Sequence, residues 1–144
     1  MLLRLLSEQV SHQWDVLKPA IEAALPPIAG DSSDRMNEVL LSILNGERQC
    51  WLSCYQDGKR AVNGVVVTNI VNGDGGVKDL LIYAAHAFEP LDDSVWTEGF
   101  EGLRKFAKSK GCSRIIAYSN VERIIEMALM VGGDASFRFL TMPI

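Results

Sequence analysis

The spacing of apolar residues changes several times along the chain, and each change marks an element. Leu2–Leu6 is a short apolar run that fits a first strand. Val10, Trp14, Leu17, Ile21 and Ala24 then recur at helical spacing and define one face of a helix. Ser7 can cap its start. Pro26 and Pro27 stop it, because the residue before a proline avoids helical dihedrals. Pro19 falls inside the pattern, so a kink or a break is expected there. After the polar stretch Gly30–Asp34, the residues Met36, Val39, Leu40, Ile43 and Leu44 form a second helical stripe. Asn45 and Gly46 end it, glycine being free to take positive φ.

Strand patterns follow. Gln49–Gln56, Arg60–Val71 and Val77–Phe88 are rich in β-branched and apolar residues. The turns Asp57–Gly58 and Gly73–Gly76 between them predict an antiparallel meander. Trp96, Phe100, Leu103 and Ala107 return to helical spacing, with Asp92, Asp93 or Ser94 available as the cap. Gly99 and Gly102 each cost this helix ~1 kcal/mol relative to alanine, which close packing on a sheet would explain. Gly111 ends the helix. Cys112–Ser119 reads as a buried strand, Val121–Val131 as a helix and Ala135–Met142 as a final strand. The predicted order is β-α-α-β-β-β-α-β-α-β, in a single α+β (mixed α/β) domain over residues 1–144.

Composition narrows the function classes. With 144 residues, 48% of them hydrophobic, the chain can build a core without metal or disulfide staples. It is not a disordered tail, a collagen-like rod or a disulfide-rich secreted module. The net charge of −4 argues against nucleic acid, which needs clustered cations. The densest basic group, Arg104, Lys105, Lys108 and Lys110, fits a solvated helix face. Cys50, Cys54 and Cys112 lack zinc-ligand spacing with His12 and His86, so no metal site is expected. Cys50 and Cys54 would share one strand face as small core residues. The opening Met1–Leu6 is too short for a signal sequence, and no apolar run is long enough for a membrane span. An intracellular, cytoplasmic protein without a membrane partner is the expectation. No Walker loop, dinucleotide fingerprint, zinc-protease helix or EF-hand loop is present.

The order of elements resembles the GNAT fold, that of the Gcn5-related N-acetyltransferases, over nearly the whole chain. The stretch Val77–Ile144 carries most of the likeness: a long strand, a helix from about Asp93, the strand Cys112–Ser119, a helix over Asn120–Val131, then Gly132 and Gly133 before a closing strand. The resemblance implies a mostly antiparallel central sheet of about six strands with helices on both faces. The segments Gln49–Trp51, Trp96–Phe100 and Phe106–Cys112 are also similar to short GNAT-like proteins of tailed bacteriophages and prophages. That likeness implies a phage or host protein partner, in the host cytoplasm or the virion.

Active members of this family bind acetyl-CoA through a small-residue loop, whose backbone N–H groups and helix N-terminus surround the pyrophosphate. The matching segment here, Ala87–Trp96, has no glycine, arginine or lysine and carries Glu89, Asp92 and Asp93. Like charges ~4 Å apart repel by about 4 kcal/mol under surface-like screening. That would offset much of a micromolar binding energy of ~8 kcal/mol. The family also carries an asparagine before its last helix and a tyrosine seven residues later as general acid. Asn120 matches the asparagine, but Met127 stands where the tyrosine belongs, and neighbouring registers give Ala128 or Leu129. The resemblance therefore points to a GNAT-fold pseudoenzyme that has lost acetyl-CoA and serves as an interaction module. The alternative is a divergent acetyl-CoA-dependent N-acetyltransferase. In that case His86 and Glu89 are the candidate general bases and Tyr118 a candidate proton donor. Backbone groups at Tyr83, Ala84 and Ala85, with Asn120, would hold the cofactor arm. For the interaction reading, the candidate surfaces are the first helix with Trp14 and the segment Phe137–Met142, which also fits a core strand. Oligomeric state stays open at this level.

Overall fold

The computed structural model describes residues 1–55 and 61–144. Strand β1 (Leu2–Arg4) leads into helix α1 (Ser7–Ala23), then α2 (Arg35–Leu44). The meander is β2 (Arg48–Cys54), β3 (Val62–Asn72) and β4 (Lys78–Ala87). Helix α3 (Asp93–Ser109), strand β5 (Arg114–Ala117) and helix α4 (Glu122–Met130) complete the order. The predicted turn Asp57–Gly58 and the predicted strand start at Arg60 lie outside the described residues.

The strands form one sheet in the order β1-β2-β3-β4-β5. Every pairing is antiparallel except β4–β5, which α3 connects as a parallel crossover. Side chains alternate between two helical layers. Cys50, Leu52, Val65, Val67 and Leu81 pack against Val10, Leu17 and Ile21 of α1 and Met36, Val39 and Ile43 of α2. On the opposite face Trp51 and Leu80 pack against Leu103 and Ala107 of α3. Phe106 meets the Trp51 ring edge-on, with centroids 5.0 Å apart. A buried polar chain crosses this face: Trp51 Nε1 donates to Thr68 Oγ1 (2.9 Å), which donates to Gln49 Oε1 (2.9 Å). Among the described residues no helix is long and apolar enough to cross a membrane.

Four expectations need correction. Helix α1 runs unbroken through Pro19. The proline sits on the exposed side of the helix, where water can serve the carbonyl that loses its N–H partner. Ser7 does not cap α1: its hydroxyl donates to the Leu44 carbonyl (3.3 Å), while Gln9 Oε1 accepts from the Leu6 N–H (2.7 Å). Close packing does not demand the α3 glycines: a Cβ on Gly102 would sit 3.5 Å from Leu2, an ordinary contact, and one on Gly99 would meet nothing within 4 Å.

The fourth correction is the largest. Ala135–Met142 is not a strand, and among the described residues the sheet has five strands rather than six. Gly132 takes φ +84° and the Gly133 N–H bonds the Ala128 carbonyl (2.7 Å), folding the chain back on α4. Asp134 Oδ1 then accepts from the Ser136 N–H (2.8 Å), a local turn that holds the Asp134 carboxyl below its ordinary pKa. The apolar alternation is present but has no strand alongside it.

Two outcomes follow from this packing. Trp14 lies half-buried against the α1–α2 layer, so Trp14→Ala should lower stability by about 1–3 kcal/mol. A thermal melt unchanged by the substitution would contradict this. Burial pushes the Cys50 thiol up to about 12, so little reactive thiolate exists at pH 8. Cys50 should resist a thiol reagent in native buffer and react only after denaturation, whereas the partly exposed Cys112 should label first.

Candidate functional site

The site begins with an extra residue in β4. Val67 pairs with Ala84 and Thr68 with Ile82, which leaves Tyr83 as a bulge. The alternation therefore shifts by one. Ile82 packs on the α3 layer, while Tyr83 and Ala84 both turn to the α1–α2 layer. His86 pairs with Val65 and so follows Ala84 to that same face. Without the bulge its ring would point toward α3. Gly64 opposite Ala87 makes this approach possible: a Cβ there would lie 2.9 Å from the His86 carbonyl oxygen.

Past the bulge, β4 and β5 part. Their parallel pairing runs from Asp79–Arg114 to Ile82–Ala117, and β4 continues alone on that side to Ala87. The near end is clamped by a bidentate pair, Arg114 Nε and Nη2 to the two oxygens of buried Asp79 at 2.8 and 3.1 Å. The far end is a splay. Backbone groups of Tyr83, Ala84 and Ala85 line it, with β3 on one side and, among the described residues, no strand on the other. Their side chains are structural: Tyr83 lies buried beneath the Arg48 guanidinium, 4.0 Å from its ring centroid.

The remaining candidates surround this splay without forming a catalytic chain. His86 stacks edge-on with Phe88, centroids 5.6 Å apart. Glu89 accepts a short hydrogen bond from the Tyr55 hydroxyl. Tyr118, the candidate proton donor, is 41% exposed and packs edge-on against Phe139, with ring centroids 5.4 Å apart. Asn120 is exposed just before α4. Met127, at the position of the family's acid, is buried and apolar. Among the described residues no hydrogen bond or ion pair joins His86 to Glu89 or to Tyr118.

Two residues that sequence reasoning missed bear on the chemistry. Arg123 of α4 forms an ion pair with Asp93 at the start of α3 and lies 3.6 Å from Glu126. This corrects the expectation of three unopposed carboxylates: Asp93 has a cation and Glu89 a hydroxyl donor. The guanidinium is nevertheless engaged by two carboxylates, and Pro90 offers no N–H to a phosphate. The donor set at this end does not suit a pyrophosphate, although the splay would suit an extended chain. The second missed residue is Asn63, the extra residue of a bulge in β3, where Ser53 pairs with Gly64 and Cys54 with Val62. It is 1% exposed and neither side-chain polar atom has a hydrogen-bond partner, a cost of about 1–3 kcal/mol. A polar residue amid a valine-rich strand was the available signal.

No protein-family model matches the chain, and no curated protein matches its sequence. Solved structures do match it. A putative acetyl transferase from Pyrococcus furiosus aligns over 100% of both chains, with a TM-score of 0.69 at 16% identity. The ribosomal-protein-alanine N-acetyltransferase from Brucella melitensis biovar Abortus 2308 aligns over 100% of this chain and 99% of its own, with a TM-score of 0.68 at 8% identity. An aminoglycoside N-acetyltransferase in complex with CoA aligns over 99% and 93%, with a TM-score of 0.67 at 14% identity. The fold is that of the GNAT acetyltransferases.

Because Gly64 lets β3 approach the His86 carbonyl, Gly64→Ala should overpack the β3–β4 pair and cost about 1–3 kcal/mol. A melting temperature equal to that of the parent would refute the close approach.

Proposed function

We propose that this GNAT-fold protein does not use acetyl-CoA and acts through contact with a protein partner, of phage or host origin. The acidic residues before and at the start of α3 carry the reading. Where a pyrophosphate would need free N–H groups and cations, the chain presents Glu89, Pro90 and Asp92, with Asp93 already paired to Arg123. The absence of a proton donor at Met127 agrees with it.

A second reading, a divergent acetyl-CoA-dependent N-acetyltransferase, is favoured by the splay itself. The backbone left unpaired beyond Ile82 is a slot for an extended ligand, and the aminoglycoside enzyme of this fold is seen with CoA. There His86 and Glu89 would be the base candidates.

Calorimetric titration with acetyl-CoA, backed by a thermal-shift assay, separates the two. The first reading expects neither heat nor stabilisation at millimolar ligand. A dissociation constant below ~50 μM would overturn it.

A further inference from the structure

A second recess lies away from the splay. Helix α2 ends at Leu44 and β2 starts at Arg48, so this short connection brings α2 over the start of β2 and the end of β3. Glu38, Ser42, Glu47, Arg48, Asn69 and Ile70 line an open cleft there of about 530 Å³, within the size range of small-molecule sites. Arg48 pairs with Asn69 and Asn69 with Leu81, where β4 and β5 are still joined. The splay begins only beyond Ile82.

Arg48 is fixed in this cleft. Its guanidinium stacks 4.0 Å from the Tyr83 ring centroid, and Nη1 donates to Ser42 Oγ (3.1 Å). The Ser42 hydroxyl gives its own proton to the Val39 carbonyl (2.6 Å), so toward Arg48 it can only accept. Arg48 is half-buried, yet among the described residues no carboxylate lies within ion-pair distance of it and its other N–H groups have no acceptor. A charge withdrawn from water without a counter-ion is costly, and a held guanidinium is ready-made for a carboxylate. Beside it Asn69 buries its Oδ1 with no hydrogen-bond partner. Nothing in the fold therefore fixes the orientation of this amide, which can turn either its donor or its acceptor to the cleft. Glu38 and Glu47, both exposed, stand at the rim.

We propose that this cleft binds a free cationic α-amino acid of the lysine type. The carboxylate takes the open N–H groups of Arg48, the α-ammonium the amide oxygen of Asn69, and the side-chain ammonium the rim carboxylates Glu38 and Glu47. Two carboxylates against one guanidinium leave the cleft with one surplus negative charge, which a zwitterion carrying one further cation balances. A phosphate would be repelled by the rim, and a diamine would leave Arg48 facing a cation. This inference concerns the joined end of the sheet and is independent of whether acetyl-CoA binds.

Calorimetric titration of the whole protein with L-lysine should give a dissociation constant below ~1 mM, whereas L-glutamate and pentane-1,5-diamine should not bind even at ~10 mM. No binding of L-lysine, or equal binding of either control, overturns the proposal. Nα-acetyl-L-lysine should bind more weakly; equal or tighter binding overturns a free amino acid in favour of a peptide C-terminus. Arg48→Met should weaken L-lysine at least ~10-fold. That variant also loses the stack on Tyr83, so Glu47→Gln, at an exposed residue, supplies a reading free of any folding cost. It should weaken L-lysine about 3-fold or more while leaving the melting temperature unchanged, and unaltered affinity overturns the proposal. Amide chemical shifts on the unaltered protein locate the site. They should move at residues 38, 42, 47, 48 and 69, and movement confined to residues 84–87 overturns the proposal.

Discussion

The short parallel pairing of β4 with β5 is the constraint on which the rest of the molecule depends. It spans four residue pairs, held at one end by the Asp79–Arg114 fork and ended at the other by the Tyr83 bulge. The clamp fixes where α3 must return. The bulge fixes where the strands separate and which face His86 takes. Asp79 is buried while Arg114 remains largely in water. The pair therefore gains from bidentate geometry while only one partner bears a large desolvation cost. A structural ion pair and a backbone irregularity, four residues apart on one strand, together set the geometry of the whole site region.

Contacts between distant segments surround that splay. Around the splay Glu89 accepts a hydrogen bond from Tyr55, Asp93 pairs with Arg123, and the Tyr118 ring packs on Phe139. Each partner comes from a different element, so the apparent site is cross-linked rather than open. An interaction module can tolerate such cross-links, because they stiffen a surface.

The sequence was most informative where a period was long and one face was buried. The stripes of α1, α2 and α3 and the valine-rich β3 place every helix and the meander within a few residues of their observed bounds. The Tyr83 bulge was hidden because an inserted aromatic residue leaves the run strand-like while shifting its faces, whereas at Asn63 a polar residue in a valine-rich run was the one visible sign. The Arg123–Asp93 and Tyr55–Glu89 contacts were hidden because tertiary packing alone joins residues that far apart in the chain. Ala135–Met142 failed for a different reason. Alternation states that a segment can be a strand, but not that a neighbour is there to pair with it.

The buried chain from Trp51 through Thr68 to Gln49 bears on how the sheet finds its alignment. Apolar contacts on a valine-rich ribbon are nearly interchangeable, so a strand displaced by two residues keeps its greasy face and loses little. Here such a displacement would strand an indole N–H, a hydroxyl and an amide together in a dry layer. The three side chains thus act as a keyed lock between β2 and β3. They reject near-miss alignments that hydrophobic matching alone would accept.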